Sequence, residues 1–132
     1  MPNNQVPVKP ELISEIRTLC ETNKEIFVVS LCTTDGFSIK SFASKSLAAE
    51  ADKLAAMSST ICALSDATSN QVLTDQFDVT IVESKSGNVL FVRTQYLDKP
   101  CVLMIAARSE MALANVRYRT IKLAESIASI AA

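Results

Sequence analysis

Ile26-Phe27-Val28-Val29-Ser30-Leu31-Cys32-Thr33-Thr34-Asp35-Gly36-Phe37-Ser38-Ile39-Lys40-Ser41-Phe42 is the stretch from which the fold is read. Its first seven residues are apolar almost without a break and rich in β-branched side chains, as in a strand buried on both faces. Asp35-Gly36 is a strong short hairpin signal, since glycine accepts the positive φ of a tight turn. Phe37 to Phe42 then returns as a more polar strand, which places it at a sheet edge.

Working outward, Met1 to Lys9 is polar with two prolines and reads as a flexible arm over residues 1–9, ahead of a single domain over 10–132. Pro10 suits a first helical position, and Leu12, Ile13, Ile16, Leu19 and Cys20 follow at helical spacing. After the hairpin, Ser46 is placed to cap a second helix, with Glu50 in its first turn. Leu47, Ala51, Leu54, Met57, Ile61 and Leu64 form one stripe along it. The rest of its surface is Ala, Ser and Thr, with few charges after Lys53, so it is expected to pack on both sides. Phe77 to Glu83, Val89 to Arg93 and Cys101 to Ala107 read as three more strands, separated by turns at Lys85-Ser86-Gly87-Asn88 and Leu97-Asp98-Lys99-Pro100. A last helix is expected from about Ser109 to Ile130, with Leu113, Val116, Thr120, Leu123, Ile127 and Ile130 inward. Arg117, Arg119, Lys122 and Glu125 cover its other side. The order α-β-β-α-β-β-β-α predicts an α/β (α+β) domain, an antiparallel sheet with helices on its faces.

The composition excludes several classes. A net charge of −1 and a pI near 5.4 lack the basic excess of a nucleic-acid or anionic-membrane binder. No apolar run reaches the roughly 18–20 residues of a membrane span, and Met1-Pro2-Asn3-Asn4-Gln5 does not read as a signal peptide. Cys20, Cys32, Cys62 and Cys101 are widely spaced and histidine is absent, which rules out a Cys/His zinc site. The cysteines read as core fillers of a cytoplasmic protein. Without histidine the usual base for a serine or cysteine nucleophile is missing. With Gly36 and Gly87 as the sole glycines, neither a P-loop nor a dinucleotide fingerprint fits. The chain is expected to be neither an enzyme nor itself a GTPase, and to need no cofactor. A hydrophobic fraction of 48% and a mean hydropathy of +0.23 point to more apolar surface than a lone copy hides.

Thr34-Asp35-Gly36-Phe37-Ser38-Ile39 at the hairpin, Ala48-Ala49-Glu50-Ala51-Asp52-Lys53-Leu54-Ala55-Ala56 opening the second helix, and Ser86-Gly87-Asn88-Val89 before the fourth strand together resemble the roadblock/dynein light chain family, of the bacterial small-GTPase regulator type. The likeness runs from about Glu11 to Ile130. It departs at Leu113-Ala114-Asn115-Val116-Arg117, where the family often has glycine after the leucine. The resemblance implies a roadblock/profilin-like fold: a five-stranded sheet with the first and last helices on one face and the central helix on the other. It also implies a homodimer in which the third strands join, here Phe77 to Glu83, and the central helices, here Leu47 to Thr68, lie antiparallel. Its bacterial members bind Ras-like small GTPases and alter their hydrolysis without inserting catalytic residues.

On this reading the dimer contacts are Leu54, Met57, Ser58, Ile61, Leu64, Ser65, Phe77, Val79 and Ile81. Several of these equally fit the core stripe over the chain's own sheet. Phe37, Lys40, Arg117 and Arg119 are candidate partner contacts, with a solvated face as the plainer reading of the arginines. Two other functions compete: a structural adaptor joining larger assemblies without reading a nucleotide, and a small-molecule sensor of the profilin-like plan.

Overall fold

A computed structural model describes residues 6–43 and 50–131. The elements are α1 (Pro10–Thr22), β1 (Ile26–Thr33), β2 (Ser38–Ala43), α2 (Ala51–Leu73), β3 (Val79–Glu83), β4 (Gly87–Tyr96), β5 (Lys99–Arg108) and α3 (Leu113–Ala128). All strand pairs are antiparallel, in the order β2-β1-β5-β4-β3. The predicted element order and the edge position of β2 hold. The expected cap at Ser46 and the residues Leu47, Ala48 and Ala49 lie outside the described residues.

β5 shows how the sheet serves two layers. Cys101, Leu103, Ile105 and Ala107 belong to one large core under α1 and α3, with Leu12, Ile16, Leu90, Val116 and Ile127. The alternate residues Val102, Met104 and Ala106 face α2, as the two-residue period of a strand dictates. The α2 layer is poorer. It splits into one cluster with Val28, Leu54 and Phe91 and another with Cys32, Ala55, Cys62 and Phe77. Ser30 and Ser58 are buried in this layer without a hydrogen-bond partner for either hydroxyl among the described residues. Each such group costs about 1–3 kcal/mol, which the small clusters under α2 must offset.

Two glycines are needed for different reasons. Gly36 has φ +94° in the β1–β2 turn, a conformation that penalises a side chain. Gly87 sits so close to β5 that a Cβ there would lie 2.1 Å from the Ala107 carbonyl oxygen. At the other hairpin, Leu97 and Asp98 take φ of 50° and 67°. These two residues alone turn β4 into β5, so β4 runs on to Tyr96 instead of stopping near Arg93 as expected.

Helix boundaries differ as well. α2 continues past Thr68 to Leu73, ending at Thr74 with φ 55°. α3 starts at Leu113 and not Ser109, because Met111 is buried in the turn that leads into it. The arm expected to be flexible is fastened over its described part. The Tyr96 hydroxyl donates to the Pro7 carbonyl at 2.6 Å and accepts from the Lys9 N–H at 2.9 Å, while Val6 packs on the core. Lys9 Nζ donates to the Ala131 carbonyl at 2.8 Å.

Candidate partner-binding surface

α2 crosses its face of the sheet from β1 towards β3. Leu54, Ala55, Ser58 and Cys62 are its buried residues, and Ser65 reaches Thr80 on β3 through a hydroxyl pair. Beyond Ser65 no described residue of the helix is buried. Val72 and Leu73 are nonetheless apolar, at 71% and 70% exposure, and Leu64 and Met57 further back are at 63% and 46%. Between Leu54 and Leu73 the one charged residue is Asp66. It is engaged by Arg93, whose Nε lies 3.8 Å from Asp66 Oδ1. The same guanidinium sits over the Phe77 ring and bonds Gln76.

The strand beside this flank carries its one charge at its end, on Glu83. Val79 to Val82 pairs with β4 without a register shift, and no described strand pairs with its outer edge. Ile81 and Val82 are exposed. Between helix and strand runs an open groove of about 850 Å³, lined by Ile61, Leu64, Thr68, Val72, Thr80 and Ile81, with Arg117 of α3 also on its wall.

The structure divides the expected dimer contacts. Leu54, Ser58 and Phe77 are buried inside the copy itself, so their side chains are core and present no surface. The face of α2 that carries Leu54 and Ser58 is the one turned to the sheet. Ile61, Ser65 and Val79 are half-buried along the groove, and Met57, Leu64 and Ile81 are exposed. Val72, Leu73 and Val82 escaped the sequence reading. Val72 does stand about three turns after Ile61 on the same side of the helix, a spacing that was available to be read. Phe37 is exposed just before β2, and Lys40 within that strand is half-buried; Arg117 and Arg119 are exposed on α3.

Burial pushes the Cys32 thiol up to about 12 and the Cys20 and Cys101 thiols to about 11; Cys62 is also raised, by burial and by Asp66. A thiol so held is a poor nucleophile. Among the described residues no cluster of His, Cys, Asp or Glu forms a metal site, and no helix is long and apolar enough to cross a membrane.

No family model and no curated protein matches the chain. Solved structures do. MglB of Myxococcus xanthus superposes with a TM-score of 0.77 over 92% of this chain and 95% of that one, at 16% identity. The roadblock fold is present here. The gliding protein MglB of Thermus thermophilus gives 0.73 over 97% and 96%, at 16% identity. The Roadblock/LC7 domain from Streptomyces avermitilis gives 0.70 over 84% and 89%, at 18% identity. The chain is thus similar in fold to MglB and to roadblock domains across nearly its whole length.

Proposed function

We propose that the chain works as a homodimer that docks a Ras-like small GTPase and shifts its nucleotide cycle without contributing a catalytic group. The observation that carries this is the uncharged flank of α2 lying beside an unpaired, regular β3 edge. An open strand edge is a template for another strand. The exposed Leu64, Val72, Ile81 and Val82 are apolar groups whose removal from water favours association by roughly 25 cal/mol per Å². A second copy meets both needs at once, because a two-fold axis beside β3 continues the sheet and lays the overhanging end of each α2 over the neighbouring copy.

The GTPase assignment draws on the roadblock fold and on the family resemblance of the sequence. The mechanism it implies is population shift: a surface that favours one state of the switch regions stabilises that state. Phe37 and Phe42, at 49% and 46% exposure, offer aromatic anchors on the side of the sheet away from β3. Arg119 adds a cation on α3. The free cysteines fit a reducing cytoplasm.

Two measurements test the reading. Sedimentation at micromolar concentration should give twice the 14.3 kDa of one chain; a single-chain mass rejects the dimer. Binding to Ras-like GTPases loaded with GDP or a GTP analogue should differ between the two states. Equal binding in both marks an adaptor that does not read the nucleotide, and no binding removes the GTPase from the account.

A further inference from the structure

The charges around the β3 edge carry an inference that rests on the dimer reading above and makes it specific. Val79, Ile81 and Glu83 stand opposite Val92, Leu90 and Asn88 of β4. Val92 and Leu90 belong to the core under the terminal helices, so by strand alternation Glu83 is directed to that same side. Arg117 rises from α3 on that side, exposed, and lines the groove with Val79 and Ile81. The ion pairs among the described residues are Lys53–Glu50, Arg93–Asp66 and Lys122–Glu125. Neither Glu83 nor Arg117 takes part in one, although both border the same strand edge.

A second copy joins their needs. Two antiparallel β3 strands pair over their full length, Val79 to Glu83, only when Ile81 meets Ile81. Thr80 then faces Val82, and Val79 faces Glu83, in each direction. A slip of one residue turns every side chain to the wrong face. A slip of two moves Glu83 away from Val79, to residue 77 or 81. The full overlap covers exposed Ile81 with its counterpart and brings the carboxylate of one copy to the Val79–Ile81 stretch where the other copy presents Arg117.

We propose that, where the two β3 strands meet, Ile81 lies on the two-fold axis and the Arg117 guanidinium of each copy takes the Glu83 carboxylate of the other. Arg117 thereby fixes the register of the sheet that crosses the interface. Opposite charges at this point reward one register, and slipped pairings lose them.

Sedimentation of the full chain tests this by charge exchange. Arg117→Glu and Glu83→Arg each create like charges at both symmetric crossings, and each should weaken the dimer roughly tenfold or more. An equimolar mixture of the two variants should recover wild-type association, because every crossing in the mixed pair again joins opposite charges. Arg119→Glu, which changes net charge equally but lies away from the edge, should leave association unchanged. A second readout needs no charge. With oxidised glutathione as electron acceptor, Ile81→Cys should form a disulfide between copies. Thr80→Cys alone should not, but should do so when mixed with Val82→Cys. If the wild-type chain dimerises while the charge variants have no effect, or cross-links appear at other pairs, the register is wrong and the dimer stands. If the wild-type chain is monomeric, both ideas fall together.

Discussion

β2 closes one side of the sheet and β3 the other, yet the two strands treat an approaching strand in opposite ways. The β1–β2 register shifts between Leu31 and Cys32, leaving Ile39 as an extra residue, and Lys40 sits in the middle of the strand. A bulge and a lysine are recognised means of discouraging edge-to-edge pairing. β3 has neither: its register is unshifted and Val79 to Val82 carries no charge. α2, whose apolar end overhangs on the β3 side, adds to the difference. An unprotected edge beside an apolar helix flank, on a molecule that protects its other edge, sets the first apart as the edge suited to pairing.

The strongest way to break this contrast is to give β3 what β2 has. Ile81→Lys should raise the dimer dissociation constant about a hundredfold, on the order of 2.7 kcal/mol, with the circular dichroism spectrum unchanged. Phe42→Lys on β2 should leave the sedimentation profile as it was. A smaller effect is expected from the helix flank: Leu64→Ser should weaken association about tenfold, read in the same experiment. Smaller again is the reverse change at the protected edge. Lys40→Val should produce slow growth of larger species in light scattering at high concentration. A flat trace there would assign the protection to the bulge alone.

The least change comes from the core thiols, which lie away from both edges. Their pKa in the folded chain is raised above the unfolded value, to about 12 for Cys32 and about 11 for Cys101. Raising the pH past about 9 ionises the unfolded thiols first and so favours the unfolded state. Their stabilising contribution is complete below that pH and lost as pH climbs towards 11–12. Melting temperature should fall between pH 8 and pH 10.5, and less steeply in Cys101→Ala.

Much of the fold was legible because β1 and β5 are long apolar runs and the helices at either end have clear one-sided spacing. Strand length was not legible at the β4–β5 hairpin, where Leu97 and Asp98 adopt positive φ without the glycine or asparagine that normally announces it. The end of α2 was legible in principle, since Val72 falls about three turns after Ile61 on the same side of the helix. The candidate surface was half legible. A helix made of small and apolar residues on every side does not tell which flank meets its own sheet, so Leu54 and Ser58 were assigned together with Leu64. Arg117 was singled out as a cation on the outer face of α3, but nothing in the sequence places it beside β3.

The Tyr96 hydroxyl and the Lys9 ammonium have a practical consequence. They hold residues at the two extremes of the domain, Pro7 to Lys9 and Ala131, within one hydrogen-bonded neighbourhood. Neighbouring ends of this kind allow a chain to be re-threaded: a short linker from residue 131 back to residue 6, with new ends opened elsewhere in an exposed turn, keeps the same contacts. Opening it at Lys85 would cut the connection between β3 and β4 and make the strand at the proposed interface the last element of the rearranged chain, so that it could be shortened residue by residue from its free end.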